Sequence, residues 1–361
     1  YGDHRDLHLS LRRQRQMCIR DRDTTGRREY KIKFKDLNTG QTYKNTLSNC
    51  SGDMAWSSDG RYLFYVLRDK ETLLPFKLFR HEIGSSQSED VLIYEEKDPT
   101  FYLSVGNSRS MQFIEINISS TTSSEVRLIN SDTPEESPYI FLQRESDHLY
   151  SIEHDPEDNR FLVETNWLAK NFRLMAIDLK KSTDKNEWSE LIPHREDILL
   201  QSALAFPNHL VIMERENGLR QLKIITKKDN TERSIIFNDP AYSAYLAANP
   251  EYYSEKFYFG YSSLRTPDSL FSSTLSTGRK RLLKQAEVKG PFSKSDYKVE
   301  RKFIAGRDGT LIPVSLVYKR TTFKKNNNPL FVYGYGSYGN SIDASFSSTR
   351  LSLLDLSLIH I

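Results

Sequence analysis

The residues best suited to chemistry lie near the end of the chain, in Tyr333-Gly334-Tyr335-Gly336-Ser337-Tyr338-Gly339. Three glycines within seven positions allow close backbone approach and dihedrals closed to other residues. The loop follows Pro329-Leu330-Phe331-Val332, a short apolar run of the kind that forms a buried strand in an α/β sheet. In hydrolases built on such sheets, the loop after the third strand supplies part of an oxyanion hole near the nucleophile. The same residues also fit a plain strand-ending turn, and both readings stand at this level. A phosphate-binding loop fits less well, because no Lys-Ser or Lys-Thr follows the glycines and the dinucleotide spacing is absent.

The rest of a hydrolytic apparatus is not written in the chain. There is no Gly-x-Ser-x-Gly elbow, and Gly84-Ser85 and Gly336-Ser337 lack glycines at the required spacing. His81, His148, His154, His194 and His209 are scattered and read as surface or core residues. His148 and His154 are six positions apart, but no further His, Cys or carboxylate completes a known metal spacing. No metal site is therefore expected.

Both ends carry foreign-looking strings. Met17-Cys18-Ile19-Arg20-Asp21-Arg22 and Leu356-Ser357-Leu358-Ile359-His360-Ile361 match translations, in opposite directions, of a transposase adapter end used in shotgun sequencing. Residues 1–22 and 356–361 are thus expected to be scars of foreign origin, and His360 is not a candidate catalytic histidine. Residues 1–22 hold six Arg and three Asp, which accounts for the chain's net charge of +3 and leaves the remainder balanced. The Arg12-Arg13-Gln14-Arg15 run is accordingly not read as a nucleic-acid patch.

No window approaches 18 apolar residues, so no transmembrane helix and no membrane partner are expected. Cys50 is the one cysteine outside the scars and cannot form an internal disulfide. That suits a reducing, cytoplasmic setting. A periplasmic one stays open, because the true N-terminus is expected to be missing.

A repeat of about 48 residues positions everything upstream of the glycine loop. Strand-like runs start at Leu63, Phe113, Phe161, Leu210 and Phe257, which are 50, 48, 49 and 47 residues apart. An apolar–basic–apolar series falls between them: Tyr30-Lys31-Ile32, Phe76-Lys77-Leu78, Val126-Arg127-Leu128, Phe172-Arg173-Leu174 and Leu222-Lys223-Ile224. Leu270-Phe271-Ser272 continues the spacing without the basic residue. Each unit reads as strand, loop, strand, turn, strand, with the basic residues facing solvent. Turns such as Ser58-Asp59-Gly60 and Glu216-Asn217-Gly218 supply positive-φ positions. Evenly spaced multi-strand units predict a β-propeller rather than a sandwich array. Six units are visible, the first lacking its opening strand, and a seven-bladed propeller is the simplest completion.

The repeat stops near Gly290-Pro291. Residues 297–304 and 312–318 predict a hairpin around Arg307-Asp308-Gly309-Thr310, followed by a polar loop at 324–328 and then the apolar run. The expected organisation is a propeller over 23–290 and the truncated start of an α/β-hydrolase domain over 291–355. An orphan hairpin and strand would lack most of their sheet, which predicts low order after about residue 295.

This succession resembles the prolyl oligopeptidase family of serine peptidases, and within it the oligopeptidase B group. The resemblance is most specific at 334–339, Ser341-Ile342-Asp343, Phe346-Ser347-Ser348 and Arg350-Leu351-Ser352-Leu353-Leu354-Asp355. Lys170-Asn171-Phe172-Arg173-Leu174 and Pro313-Val314-Ser315-Leu316-Val317-Tyr318 agree as well. It implies a Ser-Asp-His triad downstream of this fragment, short peptide substrates admitted past a capping propeller, cleavage after Arg or Lys, and no cofactor. It implies that Tyr335 donates its hydroxyl to the oxyanion and that Tyr338 stands near the substrate pocket. Asp343 is a candidate acidic group for a basic substrate side chain, or a turn former; Ser345 replaces a second acid sometimes found two residues later. The fragment alone is expected to be inactive. A prolyl or acylaminoacyl sibling and a non-catalytic binding propeller are the alternatives.

Overall fold

The computed structural model describes residues 17–23, 26, 29–324, 327–356 and 359–360. The remaining parts of the two expected scars lie outside the described residues. The chain divides into two units, Tyr1–Ala169 with Arg173–Pro193 and Lys170–Phe172 with His194–Ile361.

The first unit holds three sheets. Sheet I has six strands in sequential order from Met17–Asp23 to Val91–Glu95. Its third strand, Thr42–Trp56, pairs with Tyr30–Asp36 through its first half and with Tyr62–Arg68 through its second. It closes one repeat unit and opens the next. Positive φ at Asn49 and Gly52 accompanies the shift in register between Cys50 and Met54. Met17–Asp23 lies against Tyr30–Asp36 at the edge. Main-chain pairing of this kind makes little demand on side-chain identity, so it does not bear on the origin of the segment. Sheets II and III are four-stranded antiparallel meanders, from Tyr102–Asn107 to Tyr139–Leu142 and from Tyr150–Asp155 to Ser189–Ile192.

Strand Tyr62–Arg68 shows why the apolar runs are continuous. Tyr62 to Val66 are all buried, with Phe64 and Val66 packed against Ile114, Ile116 and Ile118 of sheet II. Leu63 and Tyr65 pack on the opposite face against Ile32, Phe34 and Leu47. A strand covered on both faces needs apolar residues at every position. Each fully buried Leu, Ile or Phe contributes about 1.5–3 kcal/mol from area removed from water.

The second unit holds sheet IV, from Ile198–Ala205 to Glu232–Ser234, and sheet V, from Tyr242–Leu246 to Lys280–Gln285, again as sequential four-stranded meanders. Val211, Leu222 and Ile224 of sheet IV meet Ala244, Phe257 and Phe259 of sheet V. Sheet VI contains the expected hairpin, Tyr297–Ala305 against Leu311–Lys319 in nine-residue register, with Leu330–Phe331 joined to it through Ile359–His360. A short helix, Ser348–Asp355, buries Leu354.

Two expectations are corrected. The units have four strands where three were read. The outermost strands share no common pattern to detect: Glu232–Ser234 is short, exposed and polar, whereas Tyr139–Leu142 is apolar and buries Phe141 and Leu142. Lys31 is exposed as expected, but the later basic residues of the series do not simply face solvent. Lys77, Arg173 and Lys223 are half-buried and reach Glu95 at 3.4 Å, Glu190 at 3.3 Å and Glu214 at 2.7 Å. Sheet stacking leaves these strands no fully wet face, so each cation is neutralised by a carboxylate.

The hairpin is unequal along its length. At its base Tyr297, Val299 and Val317 are buried with Ala241, Leu264, Ala344 and Leu354. Phe303, Ile304, Leu311 and Ile312 at its tip are exposed. The base therefore has a core of its own in the second unit, which the expectation of low order after residue 295 did not include.

Candidate functional site

The glycine loop lies on the surface of the second unit. Leu330, Phe331, Val332 and Tyr333 are exposed, Tyr335 is 50 % exposed and Tyr338 is 90 % exposed. Among the described residues the Tyr335 hydroxyl has no hydrogen-bond partner, so its donor is uncommitted. Tyr338 itself sits at φ +57, inside the turn Ser337–Gly339. Of the three glycines, only Gly339 takes a positive φ, +70. A Cβ on Gly334 or Gly336 would meet no described atom within 4 Å. The loop's glycine content thus follows only in part from its own backbone.

Asp343 is placed differently from the two tyrosines. Arg215 donates from Nη1 to its Oδ1 at 2.8 Å, and Arg220 lies 3.0 Å from its Oδ2. The carboxylate is mostly covered, with 18 % of its side chain exposed. Both oxygens are engaged by guanidinium groups before any substrate arrives. This pairing with two arginines is neither the substrate-binding acid nor the turn former that the sequence suggested for Asp343.

Arg215 and Arg220 come from sheet IV, on strands His209–Glu216 and Leu219–Thr226. The turn between them is Asn217-Gly218, with φ +50 and +73, the pair that a two-residue hairpin requires. Gly218 is needed on a second count: a Cβ there would come within 2.8 Å of Arg301 Nη2 and 3.2 Å of Pro313 Cγ. Arg301 donates to the Asn217 carbonyl and, at 3.0 Å, to Ser315 Oγ. Burial, with the nearby Arg215 charge adding to it against an opposing pull from Tyr242, lowers the Arg301 pKa below the ordinary arginine value. Sequence reasoning missed Arg215, Arg220 and Arg301. The available signal was two arginines flanking an Asn-Gly turn at positions that must face each other.

The family model for the prolyl oligopeptidase N-terminal beta-propeller domain matches residues 12–286. The chain belongs to the prolyl oligopeptidase family. Dipeptidyl aminopeptidase BI of Pseudoxanthomonas mexicana is 39 % identical over 343 residues, covering 94 % of this chain and 46 % of that protein. Protease 2 of Moraxella lacunata is 34 % identical over 345 residues, covering 95 % of this chain and 49 % of that protein. Oligopeptidase B from Leishmania major has a solved structure that superposes with a TM-score of 0.87 at 30 % identity, covering 96 % of this chain and 49 % of that one. The chain spans about half the length of the relatives it matches.

The repeat units are therefore blades of the family's β-propeller. Within those blades three of the histidines are buried and hydrogen-bonded. His81 is fully buried and pairs with Asp90 at 2.7 Å. His148 bonds Thr165 Oγ1 at 2.8 Å, and His154 bonds Ser110 Oγ at 2.8 Å. Burial pushes His154 down to about 4, so it is neutral in the core.

Proposed function

We propose that this chain is the propeller and opening hydrolase segment of a serine endopeptidase that cleaves short peptides after Arg or Lys. The observation that carries this is one of order. A propeller matched by the family runs, in the same chain, into a hairpin, an apolar strand and a loop that leaves Tyr335 exposed with an uncommitted hydroxyl.

The chemistry is acyl transfer by a Ser-Asp-His triad downstream of residue 355. The serine oxygen attacks the scissile carbonyl while histidine takes its proton, and negative charge develops on the carbonyl oxygen. The Tyr335 hydroxyl would donate to that charge. One preorganised donor of this kind contributes about 2.7–4 kcal/mol to the transition state. Tyr338, at the apex of the turn, would flank the bound peptide. The propeller would exclude folded proteins from the reacting atoms. Alone, the 361-residue chain is expected to be inactive.

A second reading has a specific support: the relative at 39 % identity is named a dipeptidyl aminopeptidase. In that case a free amino terminus is held and dipeptides are released. The experiment is hydrolysis of three fluorogenic reporters by the complete protein: an N-blocked peptide ending in Arg, the same ending in Pro, and a free dipeptide. Cleavage of the blocked Arg reporter supports the proposal. Preference for the free dipeptide moves the assignment to an aminopeptidase, and preference for Pro to a prolyl peptidase. Cleavage of none leaves a binding propeller.

A further inference from the structure

We propose that Arg215 and Arg220 are positioning residues which, through Asp343, clamp the segment carrying Tyr335 and Tyr338 to the hairpin turn of sheet IV. The effect on hydrolysis rests on the peptidase function proposed above; the clamp itself does not.

The argument begins with register. Arg215 and Arg220 are directly opposite across the strand pair. Like charges at opposed cross-strand positions repel. A fold that places them so needs an anion between them, and Asp343, 128 residues away in sequence from Arg215, is that anion. It offers one oxygen to each guanidinium, at 2.8 and 3.0 Å. Arg215 keeps only 10 % of its side chain exposed. Exposed ion pairs contribute little, but a carboxylate shared between two covered guanidinium groups is poorly screened and costly to leave unpaired.

Other contacts fix the same segment. Ser262 Oγ accepts from the backbone N–H of Phe346 at 2.9 Å, and Ala344 is buried with Ala241 and Leu264. Arg301 ties the Asn217-Gly218 turn to the base hairpin from its other side. Tyr335 is eight residues before Asp343, with exposed, positive-φ turn residues between. The loop has few contacts of its own, so its position is set where it is anchored. A basic substrate side chain seeking Asp343 would have to displace two arginines already in place.

The test has two readouts in the complete protein and its Asp343→Asn, Arg215→Gln, Arg215→Lys and Asp343→Asn/Arg215→Gln variants. The first, independent of activity, is amide exchange. Exchange at 337–346 is expected to quicken in Asp343→Asn and in Arg215→Gln, with no further change in the double variant and partial recovery in Arg215→Lys. The second is hydrolysis per titrated active site, with Arg and neutral reporters. Here kcat is expected to fall about 10- to 100-fold for both reporters at unchanged KM, the scale of a small misplacement of a reacting group. The two single substitutions are expected to be non-additive, as for residues in direct contact. Unchanged exchange at 337–346 overturns the clamp. So does a rise in KM confined to the Arg reporter in Asp343→Asn with no effect of Arg215→Gln, which would make Asp343 a substrate-binding acid. If the unaltered protein hydrolyses nothing, the peptidase function fails while exchange still decides the clamp.

Discussion

Glu115 makes the stability of the first unit depend on pH in an unusual direction. It lies on strand Phe113–Ser119 between the buried Ile114 and Ile116. Burial, and then the charge of Glu153, push its carboxyl up to about 8 from an ordinary 4.5. Arg109 is paired with Glu153. Between those two pH values the folded chain holds a proton that the unfolded chain has released. The native state binds more protons, so stability falls as pH rises through this window. The slope is at most about 1.4 kcal/mol per pH unit, which bounds the total near 5 kcal/mol. Glu115 keeps part of its surface, and relaxation with water entry reduces the penalty to about 2–3 kcal/mol. Glu115→Gln keeps the shape and removes the titration. Urea unfolding of both proteins at pH 5 and pH 9 measures the effect. The variant should gain about 2–3 kcal/mol on the parent at pH 9 relative to pH 5. Parallel pH profiles for the two proteins would refute the assignment of a buried, protonated Glu115.

Three further outcomes are expected. Asp90 accepts from the Tyr65 hydroxyl at 2.7 Å as well as pairing with His81, so Asp90→Ala removes the partner of His81 Nδ1 and leaves the Tyr65 hydroxyl with Gln87 alone. It should cost about 1–3 kcal/mol in denaturant unfolding, and no measurable loss would contradict the network. The Cys50 thiol is pushed up to about 12 by burial and by the charge of Asp90, and only a thiolate reacts readily. Peptide mapping should find Cys50 unlabelled by a disulfide reagent at pH 8 in native protein and labelled in urea; native labelling would contradict its burial. Tyr335→Phe in the complete protein should lower kcat about 10²- to 10³-fold with little change in KM, and a wild-type kcat would remove Tyr335 from the oxyanion site.

The repeat was legible in the order of residues alone. Its two series fall on the strands they were drawn from, because strand pairing between neighbours in the chain is local and each blade carries the same alternation. Legible in the same way were the hairpin after residue 297 and its turn, where Gly309 takes φ +83 and Asp308 receives the Thr310 amide at 3.0 Å. The outer strands escaped notice because they repeat no pattern from blade to blade: Glu232–Ser234 is exposed and polar, Tyr139–Leu142 apolar and partly buried. The partners of charged residues were decided only by tertiary structure. Nothing near Asp343 in sequence foretells two arginines from sheet IV, and nothing near Glu115 foretells Glu153 from sheet III. Hydrophobic periodicity records which face of an element is buried. The field at a carboxylate depends on distances of a few ångströms between segments far apart in the chain, and those exist only once the sheets have stacked.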